Sequence, residues 1–178
     1  MEFVSAKKHT KQVKSLYRSA FPKNERAPFF LLMHRRDNGR DTFYALEENH
    51  EFIGLAYTIK TDKMVYVFFL AIEEDARGKG YGTEVLKKLR EMYPDRAIAL
   101  MIEDPEEKSA ENLEERIERL KFYEKNGFQR LSIKINEAGV NYELLATENI
   151  VTQADFLMMM KDYVGTMLFR ILYRKMDI

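Results

Sequence analysis

Between Phe69 and Thr83 the chain reads Phe-Leu-Ala-Ile-Glu-Glu-Asp-Ala-Arg-Gly-Lys-Gly-Tyr-Gly-Thr. A hydrophobic stretch ending Leu70-Ala71-Ile72 runs into a turn with glycine at positions 78, 80 and 82. The turn opens directly onto an amphipathic helical pattern. Glycine accepts positive φ and lets the backbone come close to a ligand. The free amides at a helix start converge on one place, and the helix dipole favours negative charge there. Arg77 and Lys79 add two cations. The chemistry this predicts is capture of a pyrophosphate. A tight strand-to-helix turn alone would need one glycine, so three alternating glycines beside two cations favour the phosphate reading.

Two familiar phosphate cradles fail on spacing. A Walker loop needs Ser or Thr after its Gly-Lys, and no such run is present here. A dinucleotide fingerprint needs Gly-x-Gly-x-x-Gly inside a parallel βαβ unit. Here the third glycine comes one residue early, and the preceding strands look antiparallel.

The elements that must position this turn can be read from periodicity. Val13, Leu16, Tyr17 and Ala20 keep helical spacing, which predicts a helix over 8–20, ended by Phe21-Pro22. Residues 28–36 form a second short helix or a folded loop, and Asp37-Asn38-Gly39 a turn. Strands are predicted over 42–47, 52–60 and 63–72, the last rich in β-branched and aromatic residues. Their short joins favour an antiparallel meander. A helix follows over 80–92 with Tyr81, Val85, Leu89 and Met92 on one stripe. A short strand spans 97–102, and a helix spans 112–125 with Leu113, Ile117, Leu120 and Phe122 or Tyr123 as its apolar stripe. Gly127 ends that helix as a left-handed cap. A hairpin over 128–135 and 141–147 turns around Asn136-Glu137-Ala138-Gly139. A last helical region starts at Thr152, where Asp155 completes a capping-box signal, and breaks near Gly165. Its Met-rich apolar residues pack on the core or form a lid or homodimer face, with core packing the favoured reading. The expected fold is therefore α+β: a mixed, mostly antiparallel central sheet flanked by helices, with an extra C-terminal helical segment. Residues 1–178 are expected to form a single domain, with a core over about 1–148 and an extension over 149–178.

The segment Arg77-x-x-Gly80-x-Gly82 resembles the acetyl-CoA-binding motif of the GNAT superfamily of N-acetyltransferases. The resemblance includes the strand before it and the helix after it. It also includes Phe122-Tyr123-Glu124-Lys125-Asn126-Gly127-Phe128, about forty residues on. It covers most of the chain, leaving only the C-terminal helical region outside the common core.

The resemblance implies a division of labour. The amides of Gly78, Lys79, Gly80, Tyr81, Gly82 and Thr83, with the Arg77 region, would hold the pyrophosphate of acetyl-CoA. Leu70, Ala71 and Ile72 would pair with the pantetheine amides and offer an N–H to the thioester oxygen as charge builds there. Tyr123 matches the position that protonates the departing thiolate; its alternative is a core aromatic on the helix stripe. An amine with a pKa of about 10.4 arrives protonated. The strand over 65–72 has no acidic residue, so the base that part of the family places there is absent. Glu103, at the end of the strand over 97–102, and Glu25, in the family's acceptor-binding loop, are the candidates. A salt-bridged or solvated carboxylate is the alternative for each, and a water chain is a third route. Where many relatives carry Asn seven residues before the tyrosine, this chain has Arg116, with Arg119 following. These either reach CoA phosphates or, as is favoured, pair with acids such as Glu115 and Glu118. Asn112 either replaces the missing contact or caps the helix.

Bulk composition narrows the partners. With 29 basic and 29 acidic residues in 178, the net charge is zero, and nothing points to nucleic acid or to an anionic membrane. The absence of cysteine excludes disulfides and thiolate catalysis. His9, His34 and His50 show no ligand spacing, so no metal is expected. The start of the chain lacks signal-peptide features, and the expected location is cytoplasmic. The expected partner is a small-molecule or peptide amine. A CoA-binding module without transfer activity is the alternative, and an acyl donor larger than acetyl a third possibility.

Overall fold

The computed structural model describes residues 1–23, 25–35 and 39–174. The chain divides into two compact units, residues 1–93 and 94–178.

The N-terminal unit is built on four antiparallel strands in the order β1 (Glu2–Ser5), β2 (Asp41–Glu48), β3 (Glu51–Lys60) and β4 (Met64–Ile72). The predicted meander is β2, β3 and β4. The turn between β2 and β3 places Asn49 and His50 at φ +51° and +68°. Strand β1 was not anticipated. It has four residues and pairs with β2 alone in this unit, too short for alternation to register. Helix α1 (Thr10–Ala20) buries Val13, Leu16 and Tyr17 and packs on β3 and β4. Helix α2 (Phe29–Arg35) buries Leu32 and packs on β2. The predicted turn at Asp37 and Asn38 and the helix end at Arg36 lie outside the described residues. Helix α3 (Tyr81–Met92) packs on β4. Its buried residues are Val85, Leu86 and Leu89. Met92, expected on the stripe, is 39% exposed, while Leu86 is buried.

The C-terminal unit holds an antiparallel sheet in the order β5 (Ala97–Glu103), β7 (Val140–Ala146), β6 (Gln129–Glu137). The β6–β7 hairpin turns through Ala138 and Gly139 at φ +51° and +93°. Helix α4 (Leu113–Lys125) packs on β5. Helices α5 (Gln153–Val164) and α6 (Thr166–Leu172) meet at Gly165, whose φ of +82° makes the predicted break. Thr152 and Asp155 form the expected capping box. Helix α5 buries Phe156, Leu157, Met159, Met160 and Tyr163, as the core-packing reading requires. The end of α6 is fastened to the hairpin tip: the Ala138 amide donates to Leu172 O at 2.9 Å, and the Tyr173 hydroxyl donates to Glu137 Oε2 at 2.6 Å. No helix among the described residues is long and apolar enough to cross a membrane.

Two expectations for α4 are corrected. Its apolar stripe of Leu113, Ile117, Leu120, Phe122 and Tyr123 is only half-buried, and the one buried residue of the helix is Arg116. Asn112 occupies the N-cap position but makes no side-chain cap bond. Its amide group is spent on side chains described below.

Candidate active site

The cradle is assembled by three successive local events in the N-terminal unit. First, β4 carries a bulge: Tyr57 pairs with Phe69 and Thr58 with Val67, leaving Phe68 as the extra residue. Successive side chains of a regular strand point to opposite faces. Here the rings of Phe68 and Phe69 lie 4.5 Å apart, and each lies 6.4 Å from Tyr57, so the bulge turns both toward one side. Second, the strand end is pressed against β3. Gly54 pairs with Ile72, and a Cβ on Gly54 would lie 2.5 Å from Ala71 O. Third, a 3₁₀ turn (Glu74–Ala76) that sequence reasoning missed separates the strand from the glycines. The Arg77 Nε donates to Ile72 O at 3.2 Å and ties this turn back to the strand end.

Gly78 and Gly80 adopt φ of +74° and +86°, in the left-handed region where glycine is at home. A Cβ built on either would meet nothing within 4 Å, so the space above them is open. Gly80 is the N-cap of α3 and supplies no side-chain cap. The first backbone bond of the helix runs from Glu84 N–H to Gly80 O at 3.1 Å. The amides of Tyr81, Gly82 and Thr83 precede it and therefore have no carbonyl within the helix to receive them. Uncapped amides, an open approach and the positive end of a dipole make an anion seat. The residues present thus fit the pyrophosphate of a coenzyme. Just before the cradle in sequence, Glu73, Glu74 and Asp75 line a recess with Gln12 and Phe52. Burial, and then the neighbouring Asp75, push the Glu73 carboxyl above its ordinary range.

Of the predicted base candidates, Glu25 lies in the half-buried segment between α1 and α2, where its amide donates to Pro22 O at 3.1 Å. Glu103 ends β5 in the C-terminal unit. Its Oε1 accepts from Arg116 Nη2 at 2.8 Å, and its Oε2 accepts from Asn112 Nδ2 at 3.0 Å and Arg119 Nη1 at 3.3 Å. The Arg116 Nε donates to Asn112 Oδ1, and its Nη1 reaches Glu107 Oε2 at 2.8 Å and Asp104 O at 3.1 Å. Arg116 therefore pairs with Glu103 and Glu107, which face it across the strand–helix junction, and the pairing anticipated along the helix surface is replaced. Nothing in the spacing of positions 103, 107, 112 and 116 signals this network, because it depends on how β5 meets α4.

Tyr123 sits in the last turns of α4, with ring contacts to Phe122 at 5.1 Å and Phe128 at 5.5 Å. The residue keeps some exposed surface, but desolvation pushes its phenol above the ordinary value, with Arg119 acting in the opposite direction. The hydroxyl therefore keeps its proton at neutral pH and is a donor. Elsewhere, Glu2, Glu47 and His50 bring possible ligand atoms within 4.8 Å of one another. Glu47 is already committed there: it accepts from Lys8 at 2.8 Å and contacts the His9 ring.

The acetyltransferase (GNAT) domain model matches residues 39–130, just over half of the chain. The chain belongs to the GNAT acetyltransferase family. A search of curated proteins gives no match. Among solved structures, it is similar to a protein assigned as a GNAT-family acetyltransferase from Bacteroides thetaiotaomicron, with 22% identity over 97% of this chain and 98% of that one, at a TM-score of 0.73. It is also similar to an aminoglycoside 6′-N-acetyltransferase complexed with coenzyme A, with 16% identity over 85% and 99% of the two chains and a TM-score of 0.64. The ribosomal-protein-S18-alanine N-acetyltransferase from Escherichia coli is 15% identical over 85% and 94%, with a TM-score of 0.62. At these identities the likeness is one of fold: the GNAT fold, here with additional C-terminal helices. Family membership makes the chain an acyltransferase by descent.

Proposed function

We propose that this GNAT chain is an acetyl-CoA-dependent N-acetyltransferase acting on a primary amine of a small molecule or peptide. One observation carries the proposal: the uncapped, glycine-lined start of α3, which follows the end of β4 and has open space above it. The amides of Gly78 to Thr83 would hold the pyrophosphate, with Lys79 adding charge and Arg77 fixing the turn to Ile72. The backbone of Leu70, Ala71 and Ile72 would receive the pantetheine amides and direct an N–H at the thioester oxygen. The thioester supplies the acetyl group. The amine nitrogen forms the new bond to the acetyl carbon as the carbon–sulfur bond breaks. Tyr123, held protonated, would give its proton to the departing sulfur. The amine must lose a proton first. Glu25, a water chain or Glu103 would take it, and the two oxygens of Glu103 are already engaged by three donors. The full chain of 178 residues is proposed to act as one transferase domain, a reading supported by a family match that runs across the boundary at residue 93.

A second reading, a CoA-binding module without transfer activity, draws on the engagement of Glu103 and the lack of a carboxylate on β4. Calorimetric titration with acetyl-CoA, followed by an acetylation screen over a broad amine panel, separates the two. The transferase reading expects binding and turnover. It also expects Tyr123→Phe to slow turnover by up to about 100-fold with acetyl-CoA affinity kept. Tight binding with no amine acetylated would establish the silent module.

A further inference from the structure

We infer that the acceptor is a primary amine carried on an aromatic or long apolar body. This rests on the transferase function proposed above, and every observation behind it lies within the N-terminal unit.

The phosphate cradle follows Ile72. A strand rises about 3.3 Å per residue, so an arm laid back along β4 from the cradle reaches the Phe68–Phe69 bulge roughly 13 Å upstream. That bulge is where two rings are turned to one side. The segment between α1 and α2 meets the same place: the Phe21 ring packs against Phe69 at 4.9 Å. Behind them stands a buried wall. Tyr17 packs edge-on to Phe69 at 5.0 Å, and its hydroxyl donates to Ala27 O at 3.0 Å, fixing the connecting segment. Phe21 and Phe68 are half-buried, so this ring cluster reaches the surface. Rings held by other rings make a preorganised apolar surface, which binds flat or hydrophobic bodies with little ordering cost.

The charges point the same way. Residues 64–72 contain no carboxylate, and residues 21–35 contain one acid, Glu25, against Lys23, Arg26 and Arg35. The Lys14 Nζ lies 5.9 Å over the neighbouring Phe29 ring. A polyamine or an aminoglycoside would bring several positive charges to a strand that offers no carboxylate to pair with them, next to a ring already faced by Lys14. An amine with a single charge and an apolar body would not.

The test is steady-state acetylation at saturating acetyl-CoA, with phenethylamine compared against spermidine and kanamycin. The expected kcat/KM for phenethylamine exceeds both by about tenfold or more. Phe21→Ala and Phe68→Ala should raise KM for phenethylamine more than they lower kcat, and should shrink that preference several-fold. If Phe21→Ala proves unstable by thermal melting, Phe68→Ala carries the comparison, since its half-buried ring is the extra residue of the bulge. Equal or better use of spermidine or kanamycin would overturn the acceptor assignment and leave the transferase function standing. Acetyl-CoA binding without transfer to any amine would overturn both.

Discussion

The start of α3 and the start of α4 solve the same problem in opposite ways. Both are helix N-termini that follow a strand, and neither has a side-chain cap on its backbone amides. At α3 the neighbours are glycines with nothing above them. At α4 the surroundings are filled by Asn112, Arg116, Glu103 and Glu107, joined by hydrogen bonds of 2.8–3.0 Å. An end kept bare is prepared for a ligand; an end crowded with its own ion pairs is prepared for stability. Glu103, a candidate base in the sequence, sits at the crowded end, where it accepts from three donors.

The comparison can be broken most forcefully at Arg116. Removing one partner of a buried ion-pair network leaves the other charges uncompensated. Arg116→Ala should therefore destabilise the fold by about 3 kcal/mol, measured by urea unfolding, with acetyl-CoA affinity per folded molecule little changed. An equally stable variant would show the network to be incidental. At α3 the expected effect falls on binding. Gly80→Asp places a carboxylate in the anion seat and a side chain at φ +86°. Acetyl-CoA affinity should drop by about 100-fold or more, whereas Gly80→Ala should cost only the backbone penalty of about 1–2 kcal/mol. Undiminished binding by the aspartate variant would remove the cradle.

The smallest effect sharpens the contrast through pH. Hydrogen bonds from Lys8 and His9 hold the Glu47 carboxyl below its ordinary value, against the opposing effect of burial. Hydrogen bonding to Arg130 does the same for Glu106. Burial pushes the Asp104 carboxyl up, but Lys134 and the Glu106 amide more than offset this. A depressed folded pKa contributes stability that is complete above the unfolded value, about 4, and is lost as pH falls through the folded value. The Tm should therefore decline as pH drops from about 5 to about 3, and Glu47→Gln should flatten part of that decline. An unchanged slope in the variant would deny Glu47 this role.

What the sequence disclosed follows the same division. The cradle was legible because its chemistry is backbone geometry, and glycine at 78, 80 and 82 announces it locally. The capping box at Thr152 and the break at Gly165 were legible for the same reason. The Arg116 network was not, since its partners lie on a strand and a loop whose approach to α4 no local spacing encodes. The bulge at Phe68 was equally hidden. It is a mismatch in register between two strands, and a run such as Tyr66-Val67-Phe68-Phe69 reads simply as a good strand. Strand β1 was too short to show alternation, and helical spacing at Met92, the last residue of its helix, did not bury it.

The two bonds from the hairpin tip to the last helix give the C-terminal extension a mechanical meaning. Leu172 and Tyr173 hold Ala138 and Glu137 as a clasp holds the free end of a strap. Cutting the chain after residue 148 would do more than shorten it, because the β6–β7 loop would lose both fastenings at once. The extension and the hairpin should accordingly open together in amide exchange, as one cooperative piece.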